Sequence, residues 1–242
     1  MSSARRIMVG SVPVGGGAPV SVQSMTCTRT GDAEATLAQV RALVDAGCEL
    51  VRVSLPTAEE APAFARLVRE APALPRGGAG GPAGAPVPII ADIHYDWRLA
   101  LAAIEAGAAA IRINPGTMAE KHVREIVRAA ADARVPAGPP GRASARSDGA
   151  PGGGEEAGVT EVPVAIRIGV NAGSLPKDLR DKAEREPAQA LVEAALRWAA
   201  QFDEWGFAAY KLSVKSSSVP ATIAAYRLLA ESSDAPLHVG VT

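Results

Sequence analysis

A nine-residue pattern recurs three times along the chain: AGCELVRVS (46–54), AGAAAIRIN (106–114) and WGFAAYKLS (205–213). In each copy a glycine stands where a helix would end, a cation follows five residues later within an apolar run, and a small polar residue comes two after the cation. Gly47, Arg52 and Ser54 thereby match Gly107, Arg112 and Asn114, then Gly206, Lys211 and Ser213. Glycine just past a helix supplies the left-handed backbone that ends it, and a short, apolar, largely β-branched run reads as a strand. One βα unit reused around a closed barrel generates this pattern.

The rest of the chain fits the same plan. Strand-like runs lie at 20–25, 50–55, 87–93, 110–114, 162–170, 209–214 and 236–242. Helical segments with end signals alternate with them. Asp32 caps the segment closing at Gly47, Thr57 caps that from Ala58 to Glu70, Asp96 precedes the one stopping at Gly107, and Pro187 opens a helix ending near Gly206. Alternating strands and helices mean a mainly parallel sheet. The predicted fold is α/β, a TIM-type (β/α)8 barrel whose chain stops within the seventh strand.

Side chains alternate between the faces of a strand. One parity carries Arg52 and Ser54, Asp92 and His94, Arg112 and Asn114, Arg167, Gly169 and Asn171, and Lys211, Ser213 and Lys215; the opposite parity is apolar. In a barrel the apolar set packs under the helices. The polar set points inward at the strands' C-terminal ends, where barrel enzymes place their active sites. Within VPVAIRIGV (162–170) an arginine interrupts a buried strand, a position arginine takes only when something pairs with it.

Arg52, Arg112, Arg167 and Lys211 converge on that mouth, and Asp92 is the one acidic residue of the same parity. Guanidinium forks and an ammonium suit phosphate oxygens, so the predicted site takes a ligand with several phosphate charges. Internal salt bridging to Asp92 and to loop carboxylates is the competing reading. Asp92 and His94, in ADIHYD (91–96), are placed for proton transfer or for orienting and contacting a substrate. A metal held by Asp92, His94 and His238 has no recognised ligand spacing. Asn114 and Asn171 end strands at NPG and NAGSL; they can hydrogen-bond a substrate, although turn chemistry alone also selects them. KLSVK (211–215) offers two lysines of one parity. Beside arginines, charge binding is more economical for them than a Schiff base. Lys211 occupies the repeat's cation position, and Lys215 is the reserve.

Two segments break the pattern: 71–86 and 135–161, rich in glycine and proline, read as flexible insertions at the end of the barrel opposite the site. A chain of 242 residues affords one domain with a sizeable core. Its net charge of −1 argues against nucleic acid or an anionic membrane as partner. With no signal-like or membrane-spanning run, the reading is a soluble cytoplasmic protein. Cys27 and Cys48 are too few for a disulfide framework.

In order along the chain, VPVGGGAPVSVQSMTCTRTGDAEATLAQ, LVRVSLPT, ADIHYDWRLAL, RINPG, IRIGVNAGSLPKDL, KLSVKSS, YRLLA and PLHVGVT resemble the N-terminal barrel of the 4-hydroxy-3-methylbut-2-enyl diphosphate synthases. The resemblance implies an iron–sulfur oxidoreductase of the non-mevalonate route to isoprenoids. Its reaction is the reductive ring opening of 2-C-methyl-D-erythritol 2,4-cyclodiphosphate, with loss of water. Electrons come from ferredoxin or flavodoxin through a [4Fe-4S] cluster, in a homodimer whose partner subunit supplies the cluster domain. Carried over by motif, Arg52, Arg112, Arg167, Asn171 and a lysine of KLSVK hold the phosphates, and Asp92 and His94 lie near the hydroxyl and ring carbons. The family's cluster ligands, three cysteines and a glutamate, belong to a C-terminal domain outside this chain, and Cys27 and Cys48 match none of them. On this reading the chain is an incomplete, substrate-binding barrel without activity alone. Its rivals are a pterin-binding-type transferase barrel and a non-catalytic phospholigand-binding module.

Overall fold

The computed structural model describes residues 3–71, 87–137 and 161–240. The predicted insertions fall largely outside these ranges.

The described chain opens with an antiparallel hairpin of β1 (Arg6–Val9) and β2 (Val12–Gly15). Parallel strands then alternate with helices: β3 (Gln23–Met25), α1 (Ala33–Asp45), β4 (Leu50–Ser54), α2 (Ala61–Glu70), β5 (Ile89–Asp92), α3 (Trp97–Glu105), β6 (Ala110–Ile113) and α4 (Glu120–Asp132). Two short segments, β7 (Val135–Pro136) and β8 (Glu161–Val162), pair antiparallel where the second insertion leaves and rejoins the fold. The pattern resumes with β9 (Ala165–Asn171), α5 (Arg180–Arg185), α6 (Pro187–Glu204), β10 (Tyr210–Lys215) and α7 (Val219–Ser232). Strands β3, β4, β5, β6, β9 and β10 lie side by side in chain order, forming one curled parallel sheet.

Local chemistry explains most boundaries. The three repeat glycines carry the left-handed φ that ends a helix: +96° at Gly47, +85° at Gly107 and +74° at Gly206. Asp32 accepts from the Ala35 amide and Asp96 from the Arg98 amide, as N-caps do. Thr57 makes no side-chain cap. A 3-10 turn, Ala58–Glu60, precedes α2 instead, because Pro62 has no N–H to bond back to Ala58. Among the described residues, the seventh strand-like run contributes one parallel bridge, Leu237 to Leu212, held by the Leu212 amide on Pro236 O at 2.9 Å and the His238 amide on Leu212 O at 2.8 Å.

Strand parity divides the core in two. Outward-facing Val51, Val53, Ile111, Ile113, Ile166, Ile168, Leu212 and Val214 join the helices in one apolar cluster. A second cluster unites Ile7, Val9 and Val12 of the hairpin with Leu50, Ile90, Ala110 and Ala165. These last four share the cations' parity but sit at the strands' N-terminal ends, so the hairpin plugs the barrel floor. Gly10 at its tip needs both its φ of +54° and its missing side chain, since a Cβ there would stand 3.2 Å from Pro88. Arg5 anchors the hairpin by ion pairs to Asp203 (3.1 Å) and Asp234 (2.9 Å) and lies 4.8 Å over the Tyr210 ring. Among the described residues, no helix is long and apolar enough to cross a membrane.

Candidate active site

The strand register lines up Ser54, Asp92, Arg112, Arg167 and Lys211 in one row across β4, β5, β6, β9 and β10. Arg52 lies one inward position lower, beside Met25 of β3, whose Sδ receives its Nε and Nη2 at 3.2 and 3.1 Å. Above the row, Arg52, Asp92, His94, Arg112, Asn171 and Lys215 line a cavity of about 620 Å3. A second cavity of about 590 Å3 reaches Arg52, Lys211, Lys215 and His238 and runs along the open side of the sheet. Arg167 lines neither; it lies beneath, only 2% exposed.

Asp92 is surrounded by two arginines and a histidine. Its carboxylate stands 3.7 Å from Arg52 Nε, 3.5 Å from Arg112 Nη1 and 3.3 Å from His94 Nε2. Arg112 Nη1 also meets His94 Nδ1 at 3.4 Å. A guanidinium only donates, so Nδ1 is the acceptor and the neutral ring carries its proton on Nε2, facing Asp92. The half-exposed imidazole is thereby oriented towards the cavity mouth.

One carboxylate does not balance this site. Arg167 Nη2 donates to Ser213 Oγ at 3.0 Å, while its Nε and Nη1 are buried without an acceptor among the described residues. Burial, then the neighbouring Arg52 and Arg112, push its pKa down to about 9. Burial, then Arg167 and Arg52, push Lys211 down to about 7. Lys215 is lowered in the same way. Arg112 is lowered by burial despite Asp92. His238, pressed by burial and by Arg167, Lys211, Arg52 and Lys215, is pushed down to about 2 and stays neutral. An anion seated here relieves all of these charges together.

The remaining sequence candidates divide. Asn171 lines the cavity, whereas Asn114 is committed inside the protein. Its Oδ1 accepts from the Gly116 amide at 3.2 Å and its Nδ2 donates to Ser174 Oγ at 2.8 Å. Asp92, His94 and His238 do not assemble as a metal site: among the described residues no three His, Cys, Asp or Glu groups could hold an ion. Iron–sulfur clusters are held mainly by cysteine thiolates gathered at one place. The chain has two cysteines, exposed Cys27 beyond the C-terminal end of β3 and buried Cys48 before β4, at opposite ends of the sheet. The residues present do not fit a cluster.

A family profile described as the GcpE TIM-barrel domain matches residues 4–137 and 157–242. The chain belongs to this family. GcpE-type relatives named 4-hydroxy-3-methylbut-2-en-1-yl diphosphate synthase (flavodoxin) include those of Marinomonas sp. (44% identical, covering 98% of this chain and 53% of the relative), Salinispora tropica (44%; 99% and 51%) and Aquifex aeolicus (41%; 98% and 55%). The chain thus spans about half the length of the curated relatives it matches. Among solved structures, the dihydropteroate synthase of Yersinia pestis superposes with a TM-score of 0.50 at 13% identity, over 98% of this chain and 75% of that one. That likeness concerns the fold alone.

Two features of the GcpE barrel escaped the sequence reading. RIMVGSVPVGG (6–16) has two short alternating runs about Gly-Ser, a hairpin signal that was present to be read. Tyr226, whose hydroxyl meets Ser213, Val214 and His238, gives no such signal, being an aromatic residue inside a helix.

Proposed function

We propose that this chain is the substrate-binding barrel of a 4-hydroxy-3-methylbut-2-en-1-yl diphosphate synthase, holding 2-C-methyl-D-erythritol 2,4-cyclodiphosphate for reductive ring opening in isoprenoid biosynthesis. The observation that carries this reading is the row of buried cations, Arg112, Arg167 and Lys211, reinforced by Arg52 and faced, among the described residues, by the single carboxylate of Asp92. A cyclic diphosphate brings the missing negative charge, and family membership supplies the chemical class.

Arg52 and Lys215, which line both cavities, clasp the phosphates from between them. Arg112 holds the side nearest Asp92, Asn171 contacts the ligand from the rim, and Lys211 and Arg167 support the charge from below. Asp92 fixes the two arginines and the His94 ring, which faces the hydroxyl and ring carbons. The redox centre implied by the family is a [4Fe-4S] cluster with ligands outside this chain, in the cluster domain of a homodimer partner. The relatives' names support flavodoxin as electron donor, and the proposed setting is the cytoplasm.

The test is calorimetry with the cyclodiphosphate. Micromolar binding that falls at least tenfold in Arg52→Gln supports the reading; equal affinity in the variant sinks it. A pterin diphosphate competing as well as the cyclodiphosphate would instead favour the transferase rival. Binding without turnover after the cluster domain is supplied would favour a phospholigand-binding module.

A further inference from the structure

We propose that Tyr226 is a positioning residue of the anion site, acting through Ser213 on Arg167 and through the His238 carbonyl on the segment that borders the mouth. The inference rests on the anion-binding reading above and extends it to a residue on the outer helix α7.

The hydroxyl of Tyr226 sits where a strand-to-strand hydrogen bond would otherwise form. After the bridge of Leu212 with Leu237, the next rung of a parallel ladder would run from the Val214 amide to the His238 carbonyl. Instead the Val214 amide donates to the Tyr226 hydroxyl at 3.2 Å, and that hydroxyl donates to the His238 carbonyl. The phenol is wedged between the two segments and replaces one rung by two bonds. Pairing stops there, beside Lys215 and His238, both of which line the cavity on the open side.

Donor and acceptor capacity then sets every direction in the network. A phenol has one proton and two lone pairs. The carbonyl takes the proton and the Val214 amide fills one lone pair. Ser213 Oγ, 3.4 Å away, therefore donates to the other. Its own lone pair receives Arg167 Nη2 at 3.0 Å. The chain runs one way, from Arg167 to Ser213 to Tyr226 to the His238 carbonyl. It fixes the one guanidinium nitrogen that is satisfied inside the protein, which leaves Nε and Nη1 turned to other uses. Tyr226 is 9% exposed, so replacing it by phenylalanine keeps the packing and removes only the hydroxyl.

The experiment is calorimetry with inorganic pyrophosphate on the full chain, for wild type, Tyr226→Phe, Ser213→Ala, the double variant, Ser213→Thr and Arg167→Met, with thermal midpoints alongside. We expect each of the first two single variants to weaken binding about tenfold, and the double variant to lose no more than the worse single one, because groups acting as one unit are not additive. Ser213→Thr, which keeps a hydroxyl, should restore binding to within about twofold. Losses that multiply in the double variant, or a Tyr226→Phe affinity equal to wild type while Arg167→Met is impaired, overturn the positioning role alone. Wild type failing to bind pyrophosphate, or Arg167→Met binding as well as wild type, overturns the anion-site reading and this proposal with it.

Discussion

Gly169 of β9 lies so close to Arg112 of β6 that a methyl group on the glycine would stand 3.0 Å from Nε and 3.4 Å from Nη2. The guanidinium of Arg112 therefore occupies space that any side chain at 169 would claim, and the Ile113 carbonyl at 3.3 Å closes the other direction. A row of cations across three adjacent strands needs such gaps, because inward side chains at the same level stand only about 4.8 Å apart from strand to strand.

Gly169→Ala should push the Arg112 guanidinium off Asp92. Overpacking of this kind costs about 1–3 kcal/mol, and we expect at least a fivefold loss of pyrophosphate affinity. Unchanged affinity would mean that the arginine finds an equivalent position.

Arg167→Met should stabilise the ligand-free protein. The arginine is a buried charge with one neutral hydrogen-bond partner, and an apolar side chain of similar volume removes the desolvation penalty; replacing even paired buried charges by apolar side chains has gained up to about 1–4 kcal/mol. Thermal unfolding without ligand would register this as a raised midpoint, together with weaker anion binding. A lowered midpoint contradicts the account of an unmatched charge.

Lys211 predicts two pH effects. Its pKa of about 7 in the fold lies below 10.5 for a free lysine. Below pH 7 both folded and unfolded chains hold the proton and the penalty is complete. Between about 7 and 10.5 the unfolded chain binds more protons, so this residue's contribution to stability improves as pH rises. Relative to Lys211→Met, wild type should therefore gain stability from pH 7 to pH 9. Sulfate, which does not titrate in this range, should draw up to one proton onto Lys211 when it binds at pH 8. Calorimetry in buffers of different ionisation enthalpy reads that uptake, and the methionine variant should lose most of it.

Arg5→Ala should lower stability and leave the anion site alone. Its two ion pairs and its place over Tyr210 join the hairpin to α6 and to the turn after α7. Both aspartates are about half exposed, so solvent screening holds the loss to about 1–2 kcal/mol. For a domain of this size that is a fall of roughly 2–8 °C in Tm. A change in pyrophosphate affinity would show that floor and mouth are coupled.

The strand faces were legible in the sequence because strand periodicity is strict: a cation at Arg52, Arg112, Arg167 or Lys211 contradicts its apolar neighbours so sharply that its parity declares itself. The repeat glycines were legible for a similar reason, since a left-handed helix end selects that residue. The tie between Asn114 and Ser174 was not legible, because the two lie 60 residues apart in the chain. The gap that Gly169 leaves for Arg112, and the wedge made by Tyr226, arise from register between strands and from helix docking. Neither leaves a periodic trace. The seventh run looked like a full strand, yet pairing beyond Leu237 gives way to the Tyr226 hydroxyl.

The hairpin under the barrel also shapes how the site is felt at a distance. Ile7, Val9 and Val12 put hydrocarbon where bulk water would otherwise stand behind the cations. Field lines from the buried arginines and Lys211 find no high-dielectric exit at the floor and leave through the mouth and the open side instead. A chain whose net charge is −1 thus presents, along one axis, a concentrated positive potential that draws anions inward and fades as salt rises.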